Sequence, residues 1–183
     1  MHRRHVGPCG PMRVGRAQKR GTPDPEDHAL GRSRGGLTTK IHLIVDGRGT
    51  PLGLALSAGQ RHEVTRFVEV LEASRLPRTR RRARYRPDRL AADRGYNVEW
   101  IRDWLWRRGI EPVIPRRTAN PPPDEPFDRK AYRGRNVVER CIGWLKESRR
   151  VFSRFDKLAV SYAAFLNLAI LKRLLKFDFS DSA

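Results

Sequence analysis

The sequence is short of several features, and each shortage excludes a class of protein. Cysteine occurs only at Cys9 and Cys141, so neither a disulfide framework nor a cysteine-based metal site is expected. No uninterrupted apolar run reaches the roughly 18 residues needed to span a bilayer, and the basic amino terminus lacks the apolar segment of a signal peptide. We therefore expect a soluble, cytoplasmic protein with no membrane partner.

Acidic residues are scarce relative to basic ones. Lysine and arginine together number 39 against 20 aspartates and glutamates, which leaves a formal charge of +19 and a pI near 11.3. Only seven of the cations are lysines, and the planar guanidinium of arginine suits bidentate contact with phosphate. A GC-rich genome would also enrich arginine codons, so both explanations stay open. The charge predicts a nucleic-acid partner whose binding weakens as salt rises.

Hydrophobic patterning predicts one α/β domain in residues 37–177. A chain of 183 residues with 38% hydrophobic content can bury a single core. Residues 1–36 form a basic leader rich in glycine and proline, which we expect to be irregular and disordered, and residues 178–183 form a tail. The predicted elements are a hairpin of strands 38–45 and 51–57, a helix 62–73, a strand 89–93, a helix 98–108 capped by Asn97, a strand 112–115, a helix around Glu139 and a buried helix 162–177.

An acidic residue follows the apolar run 90–92. Asp93 stands just before Gly95, and the amphipathic segment after Asn97 predicts a helix. At the carboxyl end of a buried strand the backbone groups already bond within the sheet, so a carboxylate there points into a crevice. We expect Asp93 to occupy such a crevice.

Four polar side chains recur further along the chain, in the pattern Tyr132-x2-Arg135-x3-Glu139-x6-Lys146. On a helix with about 100° per residue, Arg135, Glu139 and Lys146 share one face. Apolar residues surround this face, which predicts a mostly buried helix with one polar line. An acid flanked by cations suits a metal-assisted reaction on a phosphodiester. The plain structural alternative is a charged stripe of ion pairs on a surface helix.

These two segments, together with GRSRGGLTTKIHLIVDGRG upstream and FDKLAVSYAAFLNLAILKRLL downstream, resemble the catalytic domain of bacterial insertion-sequence transposases of the DDE superfamily. The resemblance covers residues 27–176, and the Tyr-Arg-Glu-Lys spacing matches the signature of one large transposase group without a gap. It implies an RNase H-like mixed sheet flanked by helices. It also implies DNA cleavage and strand transfer at transposon ends and target DNA, by a protein associated with the bacterial nucleoid.

The same resemblance implies roles for individual residues. Enzymes of this superfamily hold two divalent ions with two aspartates and one glutamate, and the ions clamp the attacking and leaving oxygens. Asp93 matches the second aspartate and Glu139 the glutamate, so both are expected to bind Mg²⁺, with Mn²⁺ as a substitute. Arg135 and Lys146 are expected to contact phosphate near the cut end, and Tyr132 to orient the DNA.

The first aspartate of the family pattern has no counterpart in this sequence. In the family it lies on a central strand before the Gly-Arg-Ser-Arg-Gly-Gly element, which stands here at 31–36, and the residues upstream carry no apolar run able to form a strand. Asp24, Glu26 and Asp27 are explained as turn residues of a proline-rich loop, and Asp46 belongs to a hairpin turn. We expect a truncated or frameshifted transposase that lacks its first central strand, binds metal weakly and is inactive alone.

A run of arginines precedes the predicted strand that ends at Asp93. Arg80, Arg81, Arg82 and Arg84 are expected either to grip phosphates in a DNA-binding loop or to form a solvated basic linker, and the sequence leaves both open. We recognise no helix-turn-helix pattern in the sequence, so we expect DNA affinity that is largely blind to base sequence.

Three functions are compatible with these features. The first is a DDE transposase core that is defective in this chain. The second is a non-catalytic DNA-binding remnant, which occupies transposon ends or inhibits an intact transposase in a mixed oligomer; a homo-oligomer is the simpler assembly. The third is a general basic nucleic-acid-binding protein, for which replacing Asp93 and Glu139 by alanine would change no activity.

Overall fold

The computed structural model describes the backbone of residues 5–7, 12–15, 28–33, 36–74, 87–116 and 127–180. Within these ranges one sheet carries helices on both faces, which confirms the expected α/β class. The strands are β1 His5–Gly7, β2 Met12–Gly15, β3 Gly31–Ser33, β4 Gly36–Asp46, β5 Pro51–Ala58, β6 Arg89–Ala91 and β7 Glu111–Val113. The α-helices are α1 Phe67–Ala73, α2 Glu99–Trp106, α3 Arg129–Arg133, α4 Asn136–Lys146, α5 Arg149–Ser153 and α6 Ala159–Ser180.

The longest strand, β4, organises the sheet because both of its edges are paired. Along one edge β5 runs antiparallel to it, from Thr39 opposite Ala58 to Val45 opposite Pro51, and β3 pairs further along. The other edge pairs with β1 and β2 in antiparallel fashion. β1 also pairs in parallel with β6, which in turn pairs in parallel with β7. The strand order is therefore β5-β4-β1-β6-β7, with β2 beside β4.

The amino-terminal segment contributes strands, contrary to the expectation from its composition. Val6 lies opposite Asp46 of β4 and opposite Leu90 of β6, so β1 occupies the central position that was expected to be vacant. Met12 pairs with Ile41 where β2 continues along β4. The predictions of a wholly irregular leader and of a missing central strand are wrong for these residues. Strands pair through backbone hydrogen bonds, which do not require apolar side chains. A segment without apolar periodicity can therefore supply the hydrogen-bond partners that the backbone N–H and C=O groups of β4 and β6 need.

The turn between β4 and β5 confirms the predicted hairpin. The Asp46 carboxylate accepts hydrogen bonds from the backbone N–H groups of Arg48 and Thr50, at 2.9 and 2.8 Å. Gly49 has a φ of 89°, a conformation that glycine adopts without steric cost. Asp46 therefore stabilises the turn, as its position in the sequence predicts.

Side chains that alternate along β4 enter two hydrophobic clusters, one on each face of the sheet. Ile41, Leu43 and Val45 pack beneath α4, α5 and α6, whereas Ile44 faces α1 and α2. The cluster on the α1 face also contains Ala55, Phe67, Val70, Leu71, Leu90, Ala92, Tyr96, Ile101, Leu105, Ile110 and Ile114. The cluster on the α4 face also contains Val137, Val138, Cys141, Leu145, Val151, Tyr162 and Leu166. Helices thus exclude water from both faces of the sheet.

The carboxyl-terminal helix is longer and less buried than its sequence predicts. α6 begins at Ala159 and ends at Ser180, beyond the predicted 162–177. Tyr162 and Leu166 are fully buried, but Leu168, Leu171 and Leu175 remain about half exposed. The prediction that other helices cover this segment all round is therefore wrong for its outer side. No helix among the described residues is both long enough and apolar enough to cross a membrane.

The start of α2 also differs from the prediction. Val98, rather than Asn97, is its N-cap residue, and no side chain caps the helix there. The Asn97 Oδ1 instead accepts a hydrogen bond from the buried Arg102 Nε at 3.1 Å, while Arg102 Nη2 donates to the Ile114 carbonyl at 2.5 Å. A buried guanidinium needs several acceptors. This need accounts for the different role of Asn97.

A second buried arginine joins the amino-terminal segment to the last two helices. Arg154 is fully buried and follows α5 with a left-handed φ of 38°. Its guanidinium donates to the carbonyl of His28 and, at 3.4 Å each, to those of Ala29 and Lys157. It also lies 4.9 Å from the centre of the Tyr162 ring. Residues distant in the sequence are thus held together by one side chain.

Candidate functional site

The four motif residues Tyr132, Arg135, Glu139 and Lys146, which we call the polar stripe, lie on two helices rather than on the single helix that their spacing predicts. Tyr132 belongs to α3, Arg135 is the N-cap residue of α4, and Glu139 lies within the first turn of α4. Between the helices, the backbone N–H groups of Arg135, Val137 and Val138 bond to carbonyls three residues earlier instead of four. Such tight turns distort an α-helix. Gly134, with its low helix propensity, occupies the break.

Three of the four stripe residues contact one another. Arg135 Nη2 lies 2.5 Å from Glu139 Oε1, and the Arg135 guanidinium carbon lies 5.6 Å from the centre of the Tyr132 ring. The Tyr132 ring in turn packs at 5.2 Å from Phe127. The Glu139 side chain is 56% exposed, so the carboxylate is open to solvent rather than enclosed in a buried polar line. The structure therefore brings Tyr132, Arg135 and Glu139 together at the surface.

Lys146 lies apart from this cluster. It is the last residue of α4 and is exposed. Seven residues of helix separate it from Glu139, which corresponds to roughly 10 Å along the axis. A ligand that contacts both must therefore extend along α4, as a strand of nucleic acid does.

Asp93 follows β6 and opens a short 3-10 turn formed by Arg94–Tyr96. Its Oδ1 accepts a hydrogen bond from the Gly95 N–H at 2.8 Å, and β6 ends at Ala91 rather than at Asp93. Leu90 and Ala92 point into the cluster beneath α1 and α2. Because side chains alternate along a strand, Ala91 lies on the other face of β6. Asp93 lies beyond the end of the strand, where it caps the 3-10 turn.

A second carboxylate stands beside Asp93, and the sequence spacing did not indicate it. Glu63 Oε2 lies 2.6 Å and Asp93 Oδ1 2.9 Å from the position that a Cβ atom would take on Gly95. The other oxygen of Glu63 is 3.6 Å from Nζ of the buried Lys40, which donates to the Arg61 carbonyl at 2.6 Å. A side chain on residue 95 would collide with both carboxylates. Lys40, a lysine within the apolar pattern of β4, was the signal in the sequence that could have indicated a carboxylate partner such as Glu63.

Arg89 positions the helix that carries Tyr132. From the start of β6 its guanidinium bonds to both carboxylate oxygens of Glu111 in β7, at 2.8 and 2.5 Å, and to Asp128 at 2.9 Å. The hydrogen bond to Glu111 raises the pKa of Arg89 above its ordinary value. Asp128 also accepts from the Ala131 N–H at the start of α3, and that bond, with Arg89, lowers the pKa of its carboxyl group. Arg89 thus joins α3 to the sheet.

His42 and Cys141 are both buried within the hydrophobic layers of the fold, which gives them structural roles. His42 is fully buried with its Nε2 2.7 Å from Ser57 Oγ, and burial, with Lys40 and Arg66 nearby, lowers its pKa to about 4. Cys141 is a buried free thiol whose pKa is raised by burial to about 12. A thiol that stays protonated is neither a nucleophile nor a metal ligand at neutral pH.

The donors that could hold a metal are carboxylates. Asp93 and Glu139 supply the hard oxygen atoms that Mg²⁺ prefers. Across the part of the chain that the structure describes, no three histidines, cysteines, aspartates or glutamates cluster in a way that could hold an ion. The donor set thus fits the chemistry of a divalent cation but is short of a complete cage. The arginine run at 80–84 lies outside the described residues.

Comparison with known proteins identifies the family. The chain matches the family described as Transposase DDE domain over residues 11–171, and it belongs to that family of DDE transposases. It is also 37% identical over 147 residues to a Burkholderia cepacia protein that bears the name of a transposase for insertion sequence element IS402. The alignment covers 80% of this chain and 64% of that relative, so the chain spans less than two thirds of the relative's length. The resemblance to insertion-sequence transposases is therefore confirmed. No solved structure matches the chain.

Proposed function

We propose that the chain is the DNA-binding core of an insertion-sequence transposase with an RNase H-like fold, and that it does not cut DNA alone. The strand order supports the fold assignment, because an antiparallel hairpin of β4 and β5 lies beside a central β1 that is parallel to β6 and β7. Helices on both faces complete this arrangement. Residues 37–177 form the core in this proposal, with β1 and β2 added from the leader.

The observation that carries the proposal is the surface cluster in which an aromatic ring, a guanidinium and an exposed carboxylate meet, formed by Tyr132, Arg135 and Glu139. Arg135 and Lys146 contact phosphates of DNA laid along α4, and Tyr132 orients it by packing against a sugar or base. Arg80, Arg81, Arg82 and Arg84 add phosphate contacts. The charge of +19 supplies long-range attraction to transposon ends and target DNA.

Asp93 and Glu139 are the residues that would hold Mg²⁺ or Mn²⁺ in this proposal. When bound, a divalent ion would polarise a phosphoryl oxygen and lower the pKa of a coordinated water. The Glu139 carboxylate is paired with Arg135, so Glu139 becomes more available to an ion when Arg135 turns to another anion. A DNA phosphate is such an anion, which would couple metal binding to DNA binding.

Cleavage by this chain alone is not expected because the first aspartate of the family pattern has no counterpart on the central strand. β1 in the central position and β2 beside β4 have the sequences HVG and MRVG and contain no acidic residue. Two ions held by two carboxylates lose the symmetric clamp on the attacking and leaving oxygens. We infer that this chain retains DNA binding but not catalysis.

The test is a cleavage assay on duplex DNA that carries insertion-sequence ends, with Mg²⁺ or Mn²⁺. The purified chain is expected to bind the DNA without cutting it. Asp93→Asn and Glu139→Gln should reduce Mn²⁺ binding measured by electron paramagnetic resonance while leaving DNA binding within about twofold of the unsubstituted chain. Metal-dependent cutting by the unsubstituted chain would show that two carboxylates suffice. Mn²⁺ binding that ignores both substitutions would show that these residues are not the ligands.

A second candidate function is inhibition of an intact transposase in a mixed oligomer, with a homo-oligomer as the simpler assembly. The exposed Leu168, Leu171 and Leu175 of α6 favour it, because an apolar stripe at this spacing suits pairing with a second copy of the same helix. Adding the chain to an intact relative should lower transposition, and Leu168→Glu with Leu171→Glu should abolish the inhibition. Equal inhibition by a DNA-binding protein of unrelated fold would show that the chain inhibits by competing for DNA and not by forming a mixed oligomer.

A further inference from the structure

The outer face of α4 has a glycine at its centre. At about 100° per residue, the direction of Gly143 is flanked by Glu139 and Lys146 on one side and by Arg140 and Glu147 on the other. All five residues are exposed. The buried residues Val137, Val138, Cys141 and Leu145 lie on the opposite side of the helix. Gly143 therefore faces solvent in the middle of a ring of charged side chains.

Nothing in the described part of the chain requires a glycine at this position. Apart from the backbone of α4 itself and the two neighbouring residues, no atom of the described residues lies within 4 Å of the place that a Cβ atom would take on Gly143, and its φ is not positive. Other glycines differ: a Cβ on Gly53 would meet the Val70 carbonyl oxygen at 2.6 Å. Glycine in a helix interior lowers helix stability relative to alanine. The absent side chain thus weakens α4 without serving the packing of the described residues.

We propose that Gly143 lets the sugar–phosphate backbone of DNA approach the main chain of α4 between the Arg140 and Lys146 side chains. A bare helix backbone allows a closer approach than any side chain would. Arg140 and Lys146 on either side of Gly143 can each bond to a phosphate. The ring also contains the carboxylates of Glu139 and Glu147, and Arg135 pairs with that of Glu139, so three cations face two carboxylates on this surface. This inference rests on the proposed DNA-binding function and deepens it, since it names the part of α4 that touches the nucleic acid.

The proposal is tested by adding bulk at position 143 and measuring two properties with opposite expected signs. Gly143→Ala and Gly143→Leu should raise the melting temperature, because the helix gains propensity and the new side chain has open space. Both should weaken binding to a short DNA duplex of arbitrary sequence, with Gly143→Leu losing about tenfold, the equivalent of one charge-assisted contact. The dependence of binding on salt should fall by about one phosphate contact.

Asn167 on α6 provides the matched control. It is an exposed polar residue in a helix interior, so Asn167→Ala and Asn167→Leu should also raise helix propensity while leaving DNA affinity unchanged. In a titration with the same duplex, the Gly143 amide should show a large chemical-shift change by nuclear magnetic resonance and the Asn167 amide a small one.

The outcomes separate this inference from the function on which it rests. If the unsubstituted chain fails to bind the duplex, the proposed function is wrong. If it binds and Gly143→Leu binds equally well, only the contact at Gly143 is wrong. If Gly143→Leu changes the sedimentation behaviour of the chain but not its DNA affinity, the open helix face serves a second protein copy, which also overturns the DNA contact.

Discussion

Individual buried polar residues show how this basic chain accommodates charge inside its fold. Arg102 and Arg154 are buried and donate to backbone carbonyls, and Lys40 donates to the Arg61 carbonyl beside Glu63. Buried charge is tolerated only when its hydrogen-bonding groups find partners. A chain so rich in arginine therefore uses some of its cations as internal connectors.

The first prediction at this scale concerns His42. Because burial lowers its pKa to about 4 in the folded chain, against 6.5 for an ordinary histidine, the unfolded chain binds the proton more readily between these values. Above pH 6.5 His42 is neutral in both states and does not lower the free energy of unfolding. As pH falls from 6.5 towards 4, the free energy of unfolding decreases by an amount on the order of 3 kcal/mol, because only the unfolded chain binds the proton. Urea denaturation from pH 7.5 to 4 should show a smaller loss for His42→Gln. His62→Gln controls for removing an exposed histidine, and equal slopes in all three proteins would refute the assignment.

The second prediction concerns Arg154. Arg154→Met should lower the free energy of unfolding by several kcal/mol, because carbonyls of His28, Ala29 and Lys157 lose a donor at about 1–3 kcal/mol for each group left unsatisfied. Urea denaturation measures the loss. Arg149→Met, which removes an exposed arginine from α5, should cost far less. Similar midpoints for the two variants would contradict the connecting role of Arg154.

At the scale of elements, the site depends on how short segments are joined. α3 has only five residues and is too short to be stable alone, so its position depends on Asp128 and Arg89. The tight turns at Gly134 join α3 to α4, and next to this break the Arg135 guanidinium lies 5.6 Å from the centre of the Tyr132 ring. The geometry of the cluster is therefore a property of the joint between α3 and α4.

The pairing of Arg135 with Glu139 leads to a prediction about metal affinity. Arg135→Gln should raise the affinity of the free chain for Mn²⁺ about two- to fivefold, because an exposed ion pair worth roughly 0.2–1 kcal/mol no longer competes for the carboxylate. The same substitution should weaken DNA binding. Isothermal titration calorimetry measures both. Arg140→Gln removes the same charge from the same helix, and an equal gain in that variant would reduce the effect to general electrostatics.

At the scale of the whole molecule, one sheet separates two faces with different roles. The face under α1 and α2 holds His42 and the pair of Lys40 with Glu63. The other face carries the α3 and α4 cluster that we assign to DNA. A net charge of +19 acts over the entire surface, so the attraction to DNA that we propose is general whereas the proposed positioning is local.

This difference between general and local effects predicts a particular salt dependence. A plot of log affinity against log salt for duplex DNA should be steep, with a slope of about −0.9 per phosphate neutralised. Arg135→Gln and Lys146→Gln should each reduce the slope by about 1. Arg66→Gln, on the α1 side and paired with Glu69, should leave it unchanged. Equal effects of all three substitutions would show that DNA does not select the α4 face.

The sequence predicts those features of the fold whose determining contacts are local. The hairpin follows from alternation around Asp46, whose side chain closes the turn through residues only two and four positions away. Asp93 after an apolar run and the amphipathic α4 are equally local features. Sequence reasoning failed at the leader strand and at Glu63, whose neighbours are distant in the sequence, since β1 pairs with residues near 45 and 90.

The sequence by itself determined the class of the fold, the family and the order of its chemical groups, because periodicity, turn residues and a fixed motif spacing are written along the chain. Only the tertiary structure decided that a glycine-rich leader completes the centre of the sheet, that Arg135 holds Glu139, and that Glu63 stands beside Asp93. The physical reason is that hydrogen bonds and ion pairs between distant segments form only when packing of the two hydrophobic clusters brings those segments together.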